Sequence, residues 1–135
     1  MLLTREFDYA MCIMRALKNG EKRSVKEICG EEEIPEPFTY KILKKLEKKE
    51  IVKSIRGARG GYILARDIND LYLMDIMLAI EPVFGITECT KCECTRANRS
   101  KENCRILDEY MRIQESLIGE MRKHSLGEVM SEDLK

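Results

Sequence analysis

The chain has 135 residues, 44% of them hydrophobic and 36% charged, with 24 basic side chains balancing 24 acidic ones. This composition excludes a disordered chain and fits one compact, helix-rich domain with an appendage. No apolar run approaches the roughly 20 residues of a membrane span, and Arg5, Glu6 and Asp8 interrupt the N-terminus where a signal peptide needs apolar residues. A cytoplasmic protein with no membrane contact is expected.

A first helix is predicted over residues 4–18. Thr4 is placed to cap it, and Phe7, Ala10, Met11, Met14 and Leu17 recur at helical spacing. Asn19-Gly20 suits the left-handed backbone that ends a helix. Ser24-Val25-Lys26-Glu27 is a capping box, so a short helix should follow over 25–32. Glu33 to Pro37 reads as a turn, because proline disfavours helical geometry in the residue before it.

A third helix is predicted over 37–49, with Phe38, Ile42, Leu43 and Leu46 as its buried stripe. Thr39, Tyr40, Lys41, Lys44, Lys45 and Lys48 fall off that stripe. Two strands, 51–55 and 61–65, flank Arg56-Gly57-Ala58-Arg59-Gly60-Gly61, whose glycines suit a hairpin tip. Helix, short helix, turn, longer helix and basic hairpin in that order describe a winged helix-turn-helix. The expected fold class is therefore mainly α with a small β-hairpin, joined to a long C-terminal dimerisation helix.

Beyond the hairpin, a helix is predicted over 71–81, ended by Pro82 and Gly85. A long helix is predicted over about 103–124. Ile106, Leu107, Tyr110, Met111, Ile113, Leu117, Ile118 and Met121 give it an apolar face too wide for so small a chain to cover. A partner subunit is the economical cover, so a homodimer is expected. Ser125 and Glu128 form a second capping box before a short final helix. The expected organisation is a DNA-binding domain (1–66), a connecting helix (67–85), a cysteine-rich segment (86–104) and a dimerisation region (105–135).

Charge is segregated along the chain. Residues 38–66 hold nine basic and two acidic side chains, while residues 67–135 are net acidic. A clustered basic face can bind phosphates even in a neutral protein. In a helix-turn-helix the N-terminal part of the recognition helix faces base edges in the major groove, the place occupied here by Thr39, Tyr40 and Lys41. Lys44, Lys45 and Lys48 suit phosphates. Arg56 and Arg59 could enter the adjoining minor groove, with Gly60 and Gly61 allowing close backbone approach. The alternative is a solvated lysine face beside an ordinary hairpin. The single His124 and the lack of any nucleophile–base pairing argue against an enzyme.

Four of the six cysteines lie close together as Cys89-x2-Cys92-x1-Cys94-x9-Cys104. Without an export signal, such a cluster points to a metal or redox site rather than to disulfide staples. Thiolates suit iron and zinc alike. An iron–sulfur cluster, a closed zinc site and a metal-free thiol switch all remain open at this point.

The sequence resembles a family of winged-helix repressors that includes the iron–sulfur regulator IscR, the nitric oxide sensor NsrR and the cysteine regulator CymR. The resemblance is carried by Met1-Leu2-Leu3-Thr4 with Asp8-Tyr9-Ala10, by Leu46 with Ile51-Val52-Lys53-Ser54, and most specifically by Ile55 to Ala65. Leu73-Met74-Asp75-Ile76 and Ser125-Leu126 extend it over nearly the whole chain. It implies a homodimer on a palindromic double-stranded DNA operator, and an iron–sulfur cluster (2Fe-2S or 4Fe-4S) held by cysteines before the dimer helix. Cys104 matches the last of these cysteines. The spacing of Cys89, Cys92 and Cys94 departs from the family's even pattern, and Leu107 stands where one branch has a histidine. Asp8 falls where some members supply a carboxylate from the partner's first helix, and Cys12 lies one turn further along the same face. The other reading of Cys12, and of Cys29, is a small buried residue.

Overall fold

The computed structural model describes residues 3–91, 94 and 101–131. Its first half is a tight bundle. Helices α1 (Arg5–Ala16), α2 (Val25–Glu32) and α3 (Glu36–Lys48) pack on one another, and strands β1 (Val52–Ile55) and β2 (Gly61–Leu64) form an antiparallel hairpin running Val52↔Leu64 to Ile55↔Gly61. Thr4 and Ser24 cap their helices as their residue types dictate, accepting hydrogen bonds from the amides of Phe7 (3.2 Å) and Glu27 (3.1 Å). The core is built from Ile13, Met14, Leu17, Ile28, Ile42, Leu43, Leu46 and Ile51, all closed to solvent.

The turn between α2 and α3 is tighter than the sequence suggests. Glu33 takes a left-handed conformation (φ 54°), and α3 begins at Glu36 with Pro37 inside its first turn. Proline is tolerated there because a first-turn amide has no partner within the helix.

The phase of α3 also differs from the sequence expectation. The buried stripe is Thr39, Ile42, Leu43 and Leu46, whereas Phe38 is 52% exposed. Those four residues sit at i, i+3, i+4 and i+7, a better match to 3.6 residues per turn than a stripe beginning at Phe38. Burial of the Thr39 hydroxyl is affordable because it donates to the Pro35 carbonyl at 2.9 Å and lies 3.3 Å from the Cys29 sulfur.

After the wing, a 3-10 turn (Ile68–Asp70) leads to α4 (Leu73–Ile80), which lies against α1 and α3. Leu71 and Tyr72 stay extended rather than joining the helix. The Leu71 carbonyl accepts from the Leu126 amide (2.7 Å), and Tyr72 forms an isolated bridge with Ser125. A short helix α5 (Glu88–Lys91) and a 3-10 turn (Lys101–Asn103) precede α6 (Arg105–Met121), and α7 (Leu126–Val129) packs on the 3-10 turn at 68–70. The Ser125 cap forms (3.1 Å to the Glu128 amide), but the Glu128 carboxylate turns to His124 (3.0 Å) instead of reaching back. Among the described residues, no helix is long and apolar enough to cross a membrane.

Candidate nucleic-acid interface and cysteine segment

Lys41, Lys44 and Lys48 project from the exposed face of α3, while Arg56 and Arg59 stand on the exposed tip of the wing. Among the described residues, none of these five side chains has an ion-pair partner. A groove runs between the wing and the helices, lined by Ser24, Lys26, Tyr40, Arg56 and Tyr62 among others. Burial first, then the charges of Glu47 and Tyr40, push the Tyr62 hydroxyl above the usual tyrosine pKa, so it stays a neutral donor.

Three residues expected at the DNA face also have contacts within the fold. Thr39 is fully buried and faces the core, so it cannot read a base edge from its present place. Lys45 lies on the flank toward α1, where its ammonium donates to Glu6 at 2.6 Å and approaches the Ile80 carbonyl at 3.5 Å. Gly60 is needed by the turn itself: a Cβ there would stand 2.6 Å from the Ile55 carbonyl oxygen and 2.9 Å from that of Gly57. The neighbouring Gly61 serves a similar end, since its Cβ would collide with the carbonyl of Arg23.

That collision marks a contact with no signature in the sequence. Arg23 pairs with Tyr62 through two backbone hydrogen bonds (2.9 and 2.8 Å), adding a one-residue third strand to the wing. The Arg23 side chain reaches Glu31 (3.0 Å) and Glu27 (3.9 Å) on α2, and the Lys22 ammonium donates to the Arg59 carbonyl. The wing is thereby strapped to the helix that supports α3.

In the cysteine segment, Cys89 lies in α5 and Cys104 is the N-cap residue of α6. Cys89, Cys94 and Cys104 are half-buried free thiols, and Cys92 lies outside the described residues. Their chemistry fits a thiolate-ligated metal centre. Among the described residues, however, no three His, Cys, Asp or Glu side chains converge on one point. The segment is anchored at its start, where buried Gln114 of α6 accepts a hydrogen bond from the Ile86 amide at 3.0 Å. Lys91 faces Glu88 (3.7 Å) and Glu81 (4.0 Å), and the Thr87 hydroxyl is buried with no partner among the described residues.

Asp8 and Cys12 share one groove with Met11, Arg15, Val129 and Met130, and none of Cys89, Cys94 or Cys104 lines it. Burial raises the Cys12 thiol pKa, with Glu32 and Asp8 adding to the effect and Arg15 opposing it. Arg15 itself is held by Glu32 across the α1–α2 contact. Cys29 touches Thr39 and packs on the core.

Two helices, a tight turn, an exposed basic helix and a two-stranded wing define a winged helix-turn-helix protein. The chain belongs to the Rrf2 family, described as iron-dependent transcriptional regulators, whose model matches residues 3–132. That is a family of regulators and not of enzymes. The chain is 35% identical over 91 residues to protein aau3 of Rhizobium meliloti, covering 66% of this chain and 59% of that protein. It is 33% identical over 79 residues to a putative HTH-type transcriptional regulator of Aquifex aeolicus, covering 57% of this chain and 55% of the relative. The chain thus spans less than two thirds of either. The regulator IscR of Sodalis glossinidius is 30% identical over 121 residues, covering 87% of this chain and 73% of IscR. Solved structures share the fold: CymR, the global cysteine regulator of B. subtilis (TM-score 0.72, 20% identity, 94% of each chain), and IscR of T. potens (TM-score 0.72, 21% identity, 98% of this chain and 87% of that one).

Proposed function

We propose that this protein is a homodimeric repressor that binds a palindromic double-stranded DNA operator through α3 and the wing. The observation that carries the reading is the set of exposed cations at Lys41 and Lys44 of α3 and at Arg56 and Arg59 of the wing, none with an ion-pair partner among the described residues, beside a groove lined by Tyr40 and Arg56. Lys41 and Tyr40 address base edges near the start of α3, Lys44 and Lys48 neutralise phosphates, and the two wing arginines follow the adjoining minor groove. In this division of labour, residues 1–66 bind DNA and 67–85 connect. Residues 86–104 sense, and the rest of the chain dimerises through the uncovered side of α6. Selection from a random duplex pool tests it: the wild-type protein should enrich an inverted repeat, and enrichment of nothing above background would overturn it.

We further propose that Cys104, with Cys89, Cys92 and Cys94, holds an iron–sulfur cluster of the 2Fe-2S or 4Fe-4S kind, Asp8 or Cys12 of a partner subunit being a candidate further ligand. The supporting facts are four thiols within sixteen residues and the iron-dependent description of the family. A bound cluster supplies a centre that responds to iron, oxidants or nitric oxide. The chain's own contribution is the tie between Gln114 and the Ile86 amide, through which a rearrangement of the loop bears on α6 and so on the spacing of the two DNA-binding halves. Anaerobic purification with a visible spectrum and iron, sulfide and zinc analysis should find iron and sulfide. Colourless protein with one zinc per chain would replace the cluster with a closed zinc site. Metal-free protein that loses two protons reversibly in air would leave a thiol switch.

A further inference from the structure

Two aromatic side chains are exposed among the described residues, and both lie in the first two turns of α3: Phe38 at 52% and Tyr40 at 44%. They do not share an environment. Each residue advances about 100° around a helix, so with Thr39, Ile42, Leu43 and Leu46 turned inward, Phe38 and Tyr40 flank the outward-facing Lys41 on opposite sides. Tyr40 borders the wing groove. Phe38 is on the α1 side, where the half-buried Tyr9 ring stacks beside it at 6.0 Å between centroids, tilted by 56°. Such a tilted pair is favourable and holds the Phe38 ring in place before any ligand arrives.

We infer that Phe38 reads the 5-methyl group of thymine in the major groove. The inference rests on the DNA-binding reading above and adds to it a source of sequence preference. A phenyl ring has no donor or acceptor, so it can neither read a hydrogen-bonding base edge nor neutralise a phosphate. The one apolar feature a base pair presents in the major groove is the thymine methyl. The surrounding charge fits the same occupant. Lys41, one turn further along α3, is exposed with no ion-pair partner among the described residues, while Lys45 on the ring's own flank is already held by Glu6 and leaves the site to apolar contact. An exposed phenylalanine among lysines suits a polyanion with an apolar spot better than it suits an apolar protein surface.

The test starts from the operator that the full-length wild-type protein selects from random duplex DNA. Each thymine in one half-site is then replaced by deoxyuridine, which removes only the methyl group, and affinity is measured with wild-type protein and with Phe38→Ala and Phe38→Leu. At least one replacement should weaken wild-type binding about fourfold, the effect of one buried methyl. The same replacement should have no effect on Phe38→Ala and an intermediate one on Phe38→Leu. An equal loss in wild type and Phe38→Ala, or no sensitive thymine, overturns the inference while leaving DNA binding intact. Failure of the wild-type protein to select any sequence overturns both. Circular dichroism of Phe38→Ala should match wild type, because the ring is outside the core.

Discussion

Helix α1 buries five of its 12 residues, Phe7, Ala10, Ile13, Met14 and Ala16, whereas α6 buries only Gln114 and Met121 of its 17. Both helices are amphipathic. The difference is that α1 has α2, α3 and α4 to pack against, while among the described residues α6 packs chiefly on α4 and α5 and leaves Ile106, Met111 and Ile113 exposed. The first half therefore buries most of its apolar helix faces, Phe38 and Tyr40 of α3 being exceptions, whereas α6 leaves much of its apolar face open.

The most severe way to break this contrast is to charge the open face of α6. If the proposed dimer forms through α6, Ile106→Asp combined with Ile113→Asp should convert it to monomer in analytical ultracentrifugation while the helical content of the chain persists. A variant that stays dimeric would move the interface elsewhere. Next comes the strap of the wing. Gly61→Ala drives a methyl group into the Arg23 backbone and should cost about 1–3 kcal/mol of stability. It should weaken DNA binding beyond that loss by displacing Arg56 and Arg59, as measured by thermal unfolding together with fluorescence anisotropy on labelled operator.

Two milder substitutions separate structural from DNA-contacting residues on α3. Thr39→Val removes the hydrogen bond to Pro35 and should cost about 1 kcal/mol with no change in the selected operator. Lys45→Ala loses a partly exposed ion pair and should cost less than about 1 kcal/mol. It should leave the salt dependence of DNA binding unchanged if the Glu6 contact at 2.6 Å keeps the Lys45 ammonium from a phosphate.

The elements themselves were readable because their signals are local: caps at Thr4, Ser24 and Ser125, the glycine-rich hairpin tip, and helical periodicity. Errors arose where two phases of one pattern compete. Around α3, Phe38 looks more apolar than Thr39, yet a threonine that bonds its own helix backbone can be buried and the phenylalanine left out. The roles of Lys45, Gly60 and Gly61 depend on Glu6, Ile55 and Arg23, partners that only the folded chain brings near. The Arg23–Tyr62 bridge and the Gln114–Ile86 tie are contacts between distant residues that carry no motif. In the candidate cluster site the thiols are plain in the sequence, but their convergence is a property of loop conformation.

The most direct test of the account is the salt dependence of operator affinity for wild type, Lys44→Ala and Arg59→Ala, measured under one buffer and one temperature. If Lys44 and Arg59 each neutralise a phosphate, each substitution should lower the magnitude of the log–log slope by about 1. Slopes identical to wild type in both variants would contradict the assignment of α3 and the wing as the DNA-binding face.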